Sequence, residues 1–193
     1  AIFLERLEGS AEENVNLIYA ASNLMKIFYE DKNYNKAVFY GEKLISFKKI
    51  NERIKSDAYL ITARSLMNLG NKKKALDAYK KLENDADKEF VVEALYFKAL
   101  DNFDQNDYLN SNLVIEKISN DFSGYKKWTG KSLLLMSKNF YQLGDAFQAT
   151  FILESVIENF GQMPDIVDEA KRNLLQIKEI ESKKNSSVEI NNK

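Results

Sequence analysis

Residues 56–82, SDAYLITARSLMNLGNKKKALDAYKKL, read as one complete helix, a tight turn and a second helix. Ala58, Ile61, Ala63, Leu66 and Met67 recur at steps of three or four, the spacing that gathers apolar side chains on one helical face. Leu69-Gly70-Asn71 breaks the pattern, because Gly can take the left-handed conformation that ends a helix. Ala75, Leu76, Tyr79 and Leu82 then start a new face. The unit is an αα-hairpin, and the rest of the chain reads as variations on it.

The small residue that opens each second helix sets the phase: Ala37, Ala75, Ser111 and Ala149, spaced 38, 36 and 38 residues apart. A fixed period in the range of roughly 20–50 residues marks a solenoid whose units bury their faces against one another. Hairpins are assigned to residues 12–47, 52–84, 88–120 and 125–160. In the first, Ala21, Leu24, Met25 and Phe28 face inward, the turn is Asp31-Lys32-Asn33-Tyr34, and Gly41 falls inside the second helix. Gly there costs about 1 kcal/mol against Ala, so a neighbour is expected to come close. Phe39, Tyr40 and Phe47 are on hand to fill the space.

The third hairpin keeps Leu95, Ala99, Tyr108 and Ile115 but places Lys98 and Asn102 at apolar positions and Ser111 at a small one. The fourth returns to form with Leu133, Met136, Ser137, Phe140, Gly144-Asp145, Ala149, Leu153 and Val156. The sole proline, Pro164, precedes Asp165, Asp168 and Glu169, which suits a helix start. A capping helix over 164–182 is expected to turn Ile166, Val167, Ala170, Leu174, Leu175 and Ile177 inward and cover the end of the array. Residues 183–193, KKNSSVEINNK, are polar and terminal and read as a disordered tail. One period back from Ala37 lies Ala1, so AIFLERLEG, residues 1–9, reads as the second helix of a partial hairpin. On that reading the chain is a fragment that begins inside an array, and its cut N-terminal face is a place for self-association.

Tyr59, Thr62, Ala63 and Leu66, followed by Ala75 and Tyr79, take the large, small and aromatic positions of W-x2-L-G-x2-Y and A-x3-F. In this the chain resembles tetratricopeptide repeat (TPR) proteins. The likeness covers nearly its whole length and is strongest in the second and fourth hairpins. It implies an all-α fold: a right-handed α-solenoid of TPR-like helical hairpins over residues 1–182, closed by the C-terminal capping helix. It also implies a scaffold that binds a protein or peptide in a groove lined by the first helices. Similar modules occur in bacterial envelope proteins, which implies the periplasmic or envelope side as location and a longer bacterial array as context.

Motif phase then gives three groove columns: Tyr29, Met67, Phe103 and Tyr141; Ser22, Leu60, Tyr96 and Leu134; Lys26, Arg64, Leu100 and Lys138. Tyr96, Phe103 and Tyr141 are the expected anchors, and Lys26, Arg64 and Lys138 are expected to meet acidic groups on the partner. Glu30, Asp57, Glu93 and Asp104 sit beside them. The alternative is that the columns are packing surface and the lysines merely solvated, in a structural segment whose working part lies upstream. Ser22 and Leu60 stand where chaperone-tail recognition needs polar donors, so that ligand is not expected. Trp128 reads as a plug between neighbouring repeats.

Composition narrows the function further. The 193 residues are 45% hydrophobic with one Pro and seven Gly, which suits a helical core. A net charge of −1, from 28 basic and 29 acidic residues, leaves no electrostatic footprint for nucleic acid. No stretch reaches the roughly 18–20 apolar residues of a membrane-spanning helix. The chain has no Cys and no His, which removes thiolate chemistry, the Ser-His-acid triad and the commonest transition-metal ligand. The acids Glu12-Glu13, Asp85 with Asp87, and Asp168-Glu169 fall at helix starts or turns, where they favour the helix dipole. No enzyme, cofactor or metal is expected.

Overall fold

A computed structural model describes residues 2 and 14–191, with side chains described for Ile2 and residues 15–184. Nine helices make up the described residues: α1 (Asn14–Glu30), α2 (Tyr34–Ser46), α3 (Glu52–Asn68), α4 (Lys72–Lys80), α5 (Lys88–Asp104), α6 (Tyr108–Asp121), α7 (Lys126–Gln142), α8 (Ala146–Asn159) and α9 (Pro164–Asn191). The all-α repeat read from the sequence is the fold. The chain divides into two compact units, Ala1–Ala94 and Leu95–Lys193. The partial hairpin assigned to residues 1–9 lies, Ile2 apart, outside the described residues, and the self-association assigned to it goes with it.

One turn recurs four times. Lys32, Gly70, Asn106 and Gly144 take positive φ, between 58° and 85°. The next residue donates its N–H five residues back: Asn33 to Phe28, Asn71 to Leu66, Asp107 to Asn102 and Asp145 to Phe140, at 2.8–2.9 Å. The positive-φ residues themselves donate to Tyr29, Met67, Phe103 and Tyr141. This pair of bonds is the Schellman closure, which satisfies carbonyls that a helix end leaves open. The same Asn or Asp then caps the following helix: Asn33 accepts from Lys36, Asp107 from Asn110 and Asp145 from Gln148. Lys32 accepts the strain that Gly avoids, while Asn106 is the non-Gly residue type that tolerates this conformation best.

In the first unit, Leu24, Met25 and Phe28 of α1 meet Ala37, Tyr40 and Leu44 of α2 and Ala58 and Ile61 of α3. The Phe28 and Tyr40 rings stack at 5.7 Å. Gly41 marks a close approach as its position predicts, but the neighbour is Thr62 of α3, whose Oγ1 a Cβ at position 41 would overlap. Of the aromatics expected to fill that space, Phe39 is exposed and Tyr40 packs on Phe28. Which side chain stands opposite Gly41 depends on which helix packs there, and a periodic pattern carries no such information.

The second unit holds two clusters. Ala99, Ile115, Leu135 and Met136 form one. Leu134, Ala149, Leu153, Val156 and Phe160 join Ile166, Val167, Ala170 and Ile177 of α9 in the other. Within the paired helices the small positions touch: Ser111 Oγ donates to Ala99 O at 2.9 Å, and Ser137 Oγ to Ala149 O at 3.0 Å. Ser111 also accepts from Asn139 Nδ2 at 2.8 Å, and the same amide donates to Asn112 Oδ1 at 2.7 Å. The irregular Ser of the third hairpin is therefore the link that ties α6 to α7.

Two expectations at the C-terminus are corrected. Leu175 is exposed rather than inward, because it sits about 100° around the helix from its neighbour Leu174, which packs on the core. The tail expected from residue 183 continues α9 to Asn191. Lys183 to Asn191 contain neither Gly nor Pro, and Lys, Glu and Ile tolerate helix, so nothing in the covalent chain stops it.

Two substitutions test this packing. Gly41→Ala gains about 1 kcal/mol of helix propensity but overlaps Thr62, and a net loss of about 1–3 kcal/mol is expected from urea unfolding. The same change in a Thr62→Ala background is expected to be neutral or stabilising. Ser111→Ala installs the residue found at the equivalent positions 37, 75 and 149, yet strips Asn139 of an acceptor. It is expected to lower stability by about 1–3 kcal/mol in the same assay, and an increase would show that the network contributes nothing.

Candidate functional site

The first helices of successive hairpins lie side by side within each unit: α1 beside α3, and α7 beside α9. Residues at the same helical phase then face one another, and three of these facings are ion pairs. Lys26 reaches Asp57 at 2.9 Å. Arg64 grips Glu93 with two bonds, Nε to Oε1 at 2.8 Å and Nη2 to Oε2 at 2.5 Å. Lys138 meets Glu169 at 3.1 Å. The cations expected to await a partner's acids are already matched by acids of their own chain. Column phase gave their direction correctly but could not say what stood opposite.

The Arg64 pair is the deepest. Glu93 is 1% exposed, and Tyr79 Oη donates to its Oε1 at 2.9 Å. The bidentate bond holds the guanidinium pKa above its ordinary value against the opposing effect of burial. Burial, with the Glu93 charge and the hydrogen bond to it, pushes the Tyr79 phenol well up. The hydroxyl explains why position 79 carries Tyr where the motif prefers Phe. Arg53 adds an outer pair to Asp87 at 2.7 Å and reaches Asp57 at 3.5 Å. Ser56 hydrogen-bonds Asp85.

Of the expected groove residues, Lys26, Tyr29, Leu60 and Arg64 line one cavity of about 340 Å³ in the first unit. Leu60 is only 4% exposed and forms its floor. Met67 is half-exposed on α3 and takes no part in that cavity. In the second unit Tyr96, Phe103, Leu134 and Lys138 line a cavity of about 210 Å³. Phe103 and Lys138 also border a second, of about 230 Å³, with Tyr141, Ile177 and Ile180. Leu134, 3% exposed, is floor and belongs to the core rather than to the contact surface.

The three aromatics expected as anchors each keep part of their surface in the second unit. Tyr96 leans on Trp128 at 5.3 Å and on Phe97 at 5.2 Å. Burial, helped by Glu169 and Asp104, raises its phenol pKa. Phe103 tilts against Tyr108 at 5.5 Å. Tyr141 donates to Glu181 at 3.2 Å, and Lys184 lies 5.5 Å from its ring. Trp128 is 6% exposed and packs against Tyr96 and Phe97, the plug that its position predicts. Columns missed Lys131, which borders the 210 Å³ cavity. Its signal was available: 57, 93, 131 and 169 share one helical phase, and acids fill three of the four.

What these surfaces offer is contact: aromatic walls, apolar floors and ammonium groups at the rim. Among the described residues no three His, Cys, Asp or Glu side chains gather as metal ligands, and no helix is long and apolar enough to cross a membrane.

The depth of the Arg64 pair sets an expected stability order. Arg64→Met leaves a buried carboxylate without its cation and is expected to cost about 3–5 kcal/mol. Arg64→Met with Glu93→Gln removes that charge and is expected to regain most of the loss. Lys26→Met, which breaks an exposed pair, is expected to cost at most about 1 kcal/mol. Chemical denaturation of the three proteins checks the order, and equal losses for Arg64→Met and Lys26→Met would refute it.

The family model of the tetratricopeptide repeat matches residues 57–87, the span of α3, the turn and α4 together with the segment that carries Asp85 and Asp87. No curated protein matches the chain. With that match, and with the same turn and the same small-residue contacts recurring outside it, the chain is a helical-repeat protein of the tetratricopeptide type.

Proposed function

We propose that the protein is a non-catalytic interaction scaffold that holds a segment of a partner protein against the first-helix face of its second unit. The observation that carries this reading is the group of Tyr96, Phe103 and Tyr141. These side chains stay partly exposed around two cavities, of about 210 and 230 Å³, that share Phe103 and Lys138. Aromatic side chains left at the wall of an apolar depression gain by covering it, and such residues dominate the energetics of protein contacts. TPR-type repeats serve generally as protein-binding scaffolds, which agrees with this use.

The first unit favours the structural alternative. Its cavity is rimmed by Lys26, Arg53 and Arg64, each ion-paired within the chain. A partner binding there would have to break those pairs or forgo the charges, so the unit serves to hold the repeat register.

Affinity capture from lysate of the source organism, run with the wild-type protein and a Tyr96→Ala/Tyr141→Ala variant, tests the assignment. Leu134 stays unchanged because its loss would damage the core. Proteins retained by the first bait and lost by the second, with both baits shown folded by circular dichroism, are the expected result. Identical retention, or none, would remove the second unit's face as the working surface.

A further inference from the structure

The ion pairs between first helices follow one rule, and one rung breaks it. A cation at 26, 64 or 138 meets an acid at 57, 93 or 169, each 29–31 residues further on. At the remaining rung, the cation's place holds Leu100 and the acid's place holds Lys131. Both border the 210 Å³ cavity of the second unit. Lys131 is half-buried and makes no ion pair among the described residues. Its ammonium lies 5.9 Å from the Tyr96 ring and 5.3 Å from that of Trp128. The nearby carboxylate of Glu169, on the same cavity, is engaged by Lys138. At every other rung the facing charge is supplied from within the chain. Here the chain supplies a charge and withholds its match.

The adjoining cavity carries a second unmet group. Asn173 Nδ2 is buried without a hydrogen-bond partner, on a wall it shares with Phe103, Tyr141, Ile177 and Ile180. A buried amide donor left unpaired is costly unless an acceptor arrives. Together the two cavities present a cation without an ion pair beside aromatic rings and, across Phe103 and Lys138, a hollow in which the Asn173 amide is a buried donor without a partner.

Taking the scaffold reading as given, we propose that these cavities recognise a peptide segment of a partner protein that carries an Asp or Glu next to an aliphatic or aromatic residue. The carboxylate pairs with Lys131 and completes the broken rung. The apolar side chain enters the hollow between Phe103, Tyr141 and Ile177, and a backbone carbonyl of the segment accepts from Asn173. A cation held over aromatic rings keeps its charge available to an anion, and burial of the resulting pair strengthens it relative to water.

The test is a positional-scanning library of immobilised heptapeptides, one position fixed as Glu, Gln or Lys and the others degenerate, probed with the full chain. Wild type is expected to select Glu with Leu, Ile or Phe beside it, and Lys131→Glu to shift the selection to Lys. Fluorescence anisotropy with the best Glu peptide and its Gln counterpart then closes a double-mutant cycle against Lys131→Met. The Glu-to-Gln change is expected to cost wild type about tenfold or more in Kd and to cost Lys131→Met almost nothing. Lys131→Arg retains binding, and thermal melts show whether any variant has lost its fold. If peptides are selected without an acid, or the cycle shows no coupling while Tyr141→Ala abolishes binding, acid recognition by Lys131 is overturned and the scaffold reading survives. If no peptide is selected by the folded protein, both fail.

Discussion

The contact on which the structure depends is the one between the small residues of paired helices. At Ala99 and Ser111, and again at Ser137 and Ala149, the backbones come close enough for a side-chain hydroxyl of one helix to reach a carbonyl of the other. Ala63 and Ala75 stand at the same two places in the second hairpin and are fully buried. In the first hairpin Met25 stands at the first of these places and Ala37 at the second, both fully buried, so the small residue that recurs in every hairpin is the one on the second helix, and a larger side chain there would disturb the register of successive first helices. The ion pairs of Lys26, Arg64 and Lys138 presuppose that register: each joins residues 29–31 apart in sequence, on helices that meet only if the intervening hairpin has closed. The turns do the same work from the other end. Lys32 adopts a left-handed backbone at a site where Gly70 and Gly144 do so freely and where Asn106 does so at little cost, which means that the packed hairpin imposes the turn on a residue that would not choose it.

How far the sequence discloses all this differs from residue to residue. Periodicity fixes the direction in which a side chain points, so Ala37, Ala75, Ser111 and Ala149, the four turns, the Pro164 helix start and the buried Trp128 are legible. It does not fix what lies opposite. Leu60 and Leu134 point toward the expected groove and are nevertheless its floor, because the adjoining helices cover them. Arg64 points the same way and is bound by Glu93, an acid whose near-complete burial no composition rule anticipates. Gly41 announces a close approach, but the choice of Thr62 over Phe39 as the neighbour is a tertiary matter. Helix ends are legible only where a residue enforces them, which is why the α9 end escapes: Gly161 and Pro164 bound its start, and nothing comparable follows Lys183.

The third hairpin shows why departures from a repeat pattern reward attention. Asn102 stands where Tyr is expected, and its carbonyl still closes the Schellman turn, because that bond is made by the backbone. Ser111 stands where Ala is expected, and its hydroxyl joins Asn139 to the Ala99 carbonyl. Leu100 and Lys131 stand where a cation and an acid are expected, and there the chain gains the contact of Lys131 with the Tyr96 and Trp128 rings in place of an ion pair. The first departure is neutral for the fold and the second adds a link. The third leaves a charge over aromatic rings beside an apolar cavity.

Local rules of a fold are broken without internal compensation chiefly where another molecule supplies it. A ladder of matched charges is a means of holding register. The buried Arg64–Glu93–Tyr79 cluster belongs to that purpose: its charges are spent inside the unit, and apolar residues of similar volume would hold the helices about as firmly. What the ionic version adds is that only one register satisfies it. Lys131 differs, since what it holds across to the neighbouring helix is the Tyr96 ring and not a carboxylate. The half-buried ammonium of Lys131 has the Tyr96 and Trp128 rings as its partners within the chain, and on the proposal above an acid of the bound segment supplies the opposite charge that the chain does not.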